Sequence, residues 1–234
     1  MTRAVLFDAG HTLLFAHPDL GTVYAETTER FGPRIPAASF AETFVPVFRE
    51  HARRYASQGV ASDAQDYAMW REITREIHAR IPGLRAVAFD AWFEALYVRF
   101  GDPGVWRLYD DVDSTLRQLR ERGLRLGVVS NWDTRLRRIS EGLGLDRLVD
   151  FIVISAEVGL RKPDPGIFLE ALRRAGVGAA ETIHVGDLPE EDVEGARRAG
   201  VRPVLIDRQK RITPGEALEG VTVVRSLGEV IALL

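Results

Sequence analysis

The sequence contains no cysteine, which excludes disulfides, thiolate metal sites and a cysteine nucleophile, and fits a cytoplasmic protein. Lysine is nearly absent as well: Lys162 and Lys210 are the two in the chain, and arginine supplies the rest of the positive charge. Neither sign of charge dominates, with 31 Lys and Arg against 34 Asp and Glu and a net charge of -3. No strong field is therefore expected to gather nucleic acid or an anionic membrane. No apolar run approaches the roughly 20 residues of a membrane span, and the N-terminal run is too short for a secretory signal. What is present is an ordinary globular balance, 46% hydrophobic and 28% charged over 234 residues. That length suffices for one substantial core and a smaller satellite unit.

The chain opens with a buried-strand pattern, Ala4-Val5-Leu6-Phe7, that stops at Asp8-Ala9-Gly10-His11-Thr12. From His17 to about Phe100 the apolar residues then fall at helical spacing. Examples are Leu20, Val23, Tyr24 and Phe31, later Phe40, Phe44, Val47 and Phe48, then Trp70, Ile73 and Ile77, and finally Val87, Trp92 and Leu96. Four helices are predicted, separated at Gly32-Pro33, Gln58-Gly59 and Pro82-Gly83, with no strand among them. After Gly101 the pattern alternates. Leu124 to Val129, Phe151 to Ile154, Thr182 to Val185 and Val201 to Ile206 read as buried strands. Helices are predicted between them, near Val112 to Arg122, Thr134 to Gly142, Pro165 to Ala175 and Val193 to Ala199. Val221 to Val224 is expected as an edge strand and Leu227 to Leu234 as a closing helix. Parallel strands need such crossovers, so the expected fold is α/β, a doubly wound parallel sheet with an inserted all-helical domain. The expected division is 1–16 with 101–234 as the α/β core, and 17–100 as the insert.

Several strands end in a polar residue: Asp8, Ser130-Asn131, Ser155 and Asp187. In a parallel sheet these carboxyl ends share one edge, where groups distant in sequence converge. Asp8 reads either as a turn former or as a rigid carboxylate able to attack phosphorus or an activated carbon. Ser130-Asn131 either leads into a helix capped by Asp133 or Thr134, or offers a hydroxyl and amides to a phosphate. Lys162, in Arg161-Lys162-Pro163-Asp164-Pro165, is a solvated charge at a helix entrance or a compact ammonium that offsets transition-state charge. Asp187 and Asp192, after Gly186, offer carboxylates to a cation, with helix capping as the other reading of Asp192.

The order Asp8-x-x-x-Thr12, Ser130-Asn131, Lys162-Pro163-Asp164-Pro165 and Gly186-Asp187 with Asp192 resembles the four motifs of the haloacid dehalogenase-like (HAD) hydrolase superfamily, across the whole chain. The resemblance implies a Rossmann-like core with 17–100 as a cap, and an aspartyl-phosphate formed at Asp8. It further implies that Lys162 steadies nucleophile and phosphate, and that Thr12, Ser130 and Asn131 bind the substrate. Mg2+ would be held by Asp8, Asp187 and the Gly10 carbonyl, with Asp192 supporting its water shell. One more absence stands out here. Phosphatases of the family carry aspartate where this chain has Gly10, and its loss removes an acid-base group worth about 10²- to 10⁴-fold. The resemblance therefore implies a Mg-dependent phosphatase of a small phosphorylated metabolite, acting as a monomer or homodimer with no nucleic acid or membrane partner. The alternatives are a 2-haloacid dehalogenase-type hydrolase, or a protein that binds a phosphate ligand or a protein partner with little catalysis.

Overall fold

A computed structural model describes residues 1–56, 60–210 and 219–234; the predicted break at Gln58-Gly59 lies outside them. Strand β1 (Ala4–Phe7) is fully buried at the centre of a six-stranded parallel sheet. The other strands are β4 (Arg125–Ser130), β5 (Phe151–Ile154), β6 (Thr182–Gly186), β7 (Arg202–Ile206) and β8 (Thr222–Val224), in the order β5-β4-β1-β6-β7-β8. Because successive side chains of a strand point to opposite faces, Val5 and Phe7 enter the core on one side of the sheet and Leu6 enters the core on the other. The first core is closed by α5 (Val112–Glu121), α6 (Arg135–Leu143) and the 3₁₀ turn Leu227–Leu233, the second mainly by α8 (Pro165–Ala175).

The order of connection places the site. From β1 the chain reaches its neighbour β4 and then the edge strand β5, and crosses back to β6 on the opposite side of β1. At such a reversal the outgoing loops diverge and leave a crevice at the carboxyl ends. Asp8, Ser130 and Gly186 stand at the ends of the three strands that border it.

Between β1 and β4 lie α1 (Leu20–Glu29), α2 (Ala37–Ala56), α3 (Asp63–Arg80) and α4 (Phe89–Arg99). They pack around a core of their own that includes Tyr24, Phe40, Ile73, Ile77 and Trp92. The Trp92 indole N–H is satisfied by Thr28 Oγ1 at 2.9 Å. Pro82–Leu84 forms a short 3₁₀ turn where the chain was expected to break. No helix among the described residues is long and apolar enough to cross a membrane.

The structure differs from the sequence reading in four places. A small antiparallel pair, β2 (Leu14–Ala16) with β3 (Trp106–Leu108), flanks the helical unit; at three residues each, these strands are too short to show a period. A one-turn helix, α7 (Ser155–Val158), follows β5 directly. The predicted helix from Val193 to Ala199 is instead a π-helical turn over Pro189–Glu194 followed by α9 (Gly195–Arg198). The closing helix is 3₁₀ rather than α.

Candidate active site

Asp8 leaves β1 with its backbone N–H bonded to the Val185 carbonyl at 2.9 Å, which fixes it between β4 and β6. Its Oδ1 accepts from the Ser130 hydroxyl at 3.0 Å and from Lys162 Nζ at 2.6 Å. Its Oδ2 takes no hydrogen bond among the described residues, so one oxygen is held and the other is left for chemistry. Burial pushes the Asp8 carboxyl above its ordinary pKa, Lys162 pulls it down and Asp192 pushes it up again.

Lys162 is 1% exposed and makes a second bond, to Asp192 Oδ1, also at 2.6 Å. Burial opposes its charge, but Asp192 and Asp8 together raise its pKa above the ordinary lysine value. Asp192 is engaged at both oxygens: Oδ1 also meets His184 Nε2 at 2.9 Å, and Oδ2 accepts from the Leu188 amide at 3.0 Å. Burial works to raise the Asp192 pKa, yet Lys162 and His184 hold it well below the usual carboxylate range. Asp192 therefore does not cap a helix; it anchors the ammonium.

This fold-back depends on Gly186. A Cβ there would lie 2.1 Å from Asp192 Cγ, closer than any real contact. Gly186→Ala is expected to push Asp192 off Lys162 and His184, lowering stability by about 1–3 kcal/mol through overpacking. Denaturant unfolding alongside a turnover assay would check this, both falling together.

Asn131 clips the Lys162 loop to the end of β4. Its Oδ1 accepts from the Lys162 amide at 2.8 Å and its Nδ2 donates to the Lys162 carbonyl at 2.9 Å. The same Nδ2 donates to Glu191 Oε2 at 2.7 Å. The Asn131 side chain, expected to contact substrate, is thus turned to the chain's own backbone. Thr12 is fully buried with its hydroxyl unpartnered. Ser155, another strand-end candidate, turns away from Asp8 and bonds the Trp132 backbone N–H at 3.0 Å.

Glu191 was not picked out from the sequence. In the acidic run Glu190-Glu191-Asp192 nothing marks which side chains turn inward. The π-helical turn over Pro189–Glu194 holds one residue more than an α-turn, and with it both Glu191 and Asp192 turn inward, one to Asn131 and the other to Lys162. Desolvation pushes the Glu191 carboxyl up to about 7.

Ligand oxygens of Asp8, Asp187 and Asp192 lie within 4.8 Å of one another. The Gly10 carbonyl takes no hydrogen bond among the described residues. An all-oxygen set of three carboxylates fits a hard divalent cation rather than a soft one. The residues present therefore fit a divalent metal, with Asp192 already engaged by protein donors.

A buried joint ties the helical unit to the same loops. Arg161, next to Lys162, pairs with Asp66 of α3, the two being 4% and 2% exposed. Asp63 accepts from the Thr134 amide at 2.8 Å and hydroxyl at 2.9 Å. Asp133 bonds the Arg135 amide at 3.0 Å, and the Arg135 guanidinium lies 3.6 Å over the Tyr97 ring of α4.

Residues 2–200 match the family described as haloacid dehalogenase-like hydrolase. The chain is 33% identical over 214 residues to the bovine (Bos taurus) haloacid dehalogenase-like hydrolase domain-containing protein 3, covering 91% of this chain and 84% of that one. It is 32% identical over 229 residues to a glyceraldehyde 3-phosphate phosphatase of Methanopyrus kandleri, covering 90% and 86%. Among solved structures, a HAD phosphatase from Thermococcus onnurineus superposes with a TM-score of 0.65 at 26% identity, covering 99% of this chain and 97% of that one. The chain belongs to the haloacid dehalogenase-like hydrolases, and it is a hydrolytic enzyme.

Proposed function

We propose that the protein is a magnesium-dependent phosphatase of a small phosphorylated metabolite, working through an aspartyl phosphate at Asp8. The observation that carries this reading is the arrangement around that carboxylate. Ser130 and Lys162 hold Oδ1, and carboxylate oxygens of Asp8, Asp187 and Asp192 gather within 4.8 Å of one another. A fixed carboxylate of this kind adds to phosphorus and divides one difficult displacement into two easier ones. Lys162 would neutralise charge as it builds on the transferred group, and the unpartnered Thr12 hydroxyl is a donor for it. Mg2+, held by Asp8, Asp187 and the Gly10 carbonyl and supported by Asp192, would supply charge neutralisation between two anions. Residues 17–100 would act as the cap that excludes water and selects the substrate, its joint to the core set beside Lys162. The phosphatase name of the Methanopyrus kandleri relative supports the same reading.

The test is a panel of phosphate esters assayed with Mg2+, with chelator, and against Asp8→Asn. Phosphate release that requires both the metal and Asp8 is the expected result. Release no greater than that of Asp8→Asn would remove the reading, and metal-independent halide release from 2-haloacids would replace it.

A further inference from the structure

The turn after Asp8 closes on itself but is also held from two strands away. The amides of Leu13 and Leu14 both donate to the Ala9 carbonyl, at 2.9 and 3.0 Å, and His11 within the turn adopts φ 53°. That left-handed backbone is uncommon for a residue other than glycine, and persists where the surroundings over-determine it. Arg208, two residues beyond β7, donates from Nε and Nη2 to the Thr12 carbonyl at 3.0 and 2.9 Å. The same guanidinium grips both Asp111 carboxylate oxygens, from Nη1 at 3.1 Å and from Nη2 at 2.9 Å, and lies 3.9 Å over the Tyr109 ring. Asp111 is fixed in turn, its Oδ2 accepting from the Leu227 amide at 2.8 Å, and the Tyr109 amide donates to the Leu13 carbonyl at 3.0 Å. The Arg208 side chain itself is 11% exposed.

Arg208 thus ties together the two segments that join the core to the helical unit, at Thr12 just before β2 and at Asp111 shortly after β3. Its charge is matched by Asp111, so what it brings to Thr12 is a fixed position and not a net field. A planar fork can meet a carbonyl along one edge, a carboxylate along another and a ring on its face; an ammonium cannot. Resting on the phosphatase reading above, we propose that Arg208 is a positioning residue for phosphoryl transfer: through the Thr12 carbonyl it holds the turn from Asp8 to Thr12 in the place the chemistry needs. The hydroxyl of the same threonine, buried and unpartnered, is the donor whose place is set in this way. A displacement of about 1 Å caused far from the reacting atoms is enough to cost about 10²-fold in rate, because near-attack geometry is lost. Lys162 and Ser130 are held by other contacts and keep their places, so the loss falls on kcat more than on KM.

The experiment compares Arg208→Met, Arg208→Lys and a matched control, Arg137→Met, with the unaltered enzyme. Arg137 makes the same kind of fork, on the Ile152 carbonyl at 2.9 Å and on both Glu157 oxygens at 2.8 and 2.6 Å, but it joins α6 to the edge strand β5 and to α7. Steady-state hydrolysis with Mg2+ is measured on para-nitrophenyl phosphate and on the phosphate esters of the panel above, together with thermal melts and amide hydrogen exchange. Arg208→Met should lower kcat by about 10²-fold with a much smaller change in KM. Exchange protection should fall at Leu13 and Leu14 and persist in β4. Arg208→Lys keeps the charge and should lose nearly as much kcat, since the fork is gone. Arg137→Met should melt at a lower temperature with kcat unchanged. If Arg208→Met fails to fold, Arg208→Lys decides. Full kcat in Arg208→Met, or full recovery by lysine, would overturn the proposal. So would an equal fall of kcat in Arg137→Met, or a loss of protection spread evenly over the sheet, either of which marks a merely structural role. Absence of Asp8-dependent release from every ester in the unaltered enzyme would instead remove the phosphatase reading, and this proposal with it.

Discussion

Lys162→Met is expected to cost about 3–5 kcal/mol of stability at neutral pH, the range for removing one partner of a buried ion pair, and to lower turnover by about 10²- to 10³-fold. The ammonium is the shared partner of Asp8 and Asp192, each at 2.6 Å. Methionine keeps much of the volume but leaves two buried carboxylates facing one another. The pH dependence distinguishes this from a packing defect. In the unaltered protein the Asp192 pKa is depressed, so its contribution to stability is full above the unfolded value near about 4 and is lost as pH falls through the folded value. The raised pKa of Lys162 contributes stability that is full below the unfolded lysine value and is lost as pH rises through the folded one. Without the ammonium both carboxyls move up, the folded state binds more protons than the unfolded state, and stability falls as pH rises. Thermal unfolding of Lys162→Met should therefore lie nearest that of the parent in acid and furthest from it in mild alkali. A deficit independent of pH would show that the carboxylates do not depend on this cation.

Asp66→Ala is the second large effect. Removing this carboxylate strands the Arg161 guanidinium, 4% exposed, with its Nε already unpartnered. An uncompensated buried charge costs about 3–5 kcal/mol, whereas replacing both partners by apolar residues is often close to neutral. The Asp66 pKa is raised, burial outweighing the pull of Arg161, so the pair is poor at stabilising and costly to break singly. The double variant Asp66→Leu with Arg161→Met should recover most of the stability lost by Asp66→Ala. It should also raise KM, because the joint that orients the helical unit beside Lys162 is gone. Denaturant melts of the single and double variants, with steady-state kinetics on the latter, check both parts. An equal loss in the double variant would mean that the pair's geometry, and not its charge balance, holds the joint.

The parts of the site that could be read from sequence are those fixed by strand ends. A run such as Ala4-Val5-Leu6-Phe7 announces a buried parallel strand, and the residue after it must emerge at the shared carboxyl edge, so Asp8, Ser130 and Asp187 were placed by topology alone. Lys162 was marked by its rarity in an arginine-rich chain. Side-chain direction within an irregular turn was not legible: the π-helical geometry at Pro189–Glu194 comes from tertiary fit, so Glu191 looked like its acidic neighbours. Nor was pairing across long separations. Arg161 meets Asp66 95 residues away, and no local pattern links them. Arg208 on Thr12 is a contact between loops that leave different strands, and the strands β2 and β3 are shorter than any period they could display.

The scarcity of lysine acquires a practical meaning once the two positions are located. Lys210 is exposed and Lys162 is sealed beneath the site. An amine-reactive reagent therefore meets one lysine at the surface, and the other becomes reachable only when the carboxylates around it let go. Acylation at Lys162 would thus time the opening of the crevice at the strand ends from within, with Lys210 as the built-in reference for reagent strength.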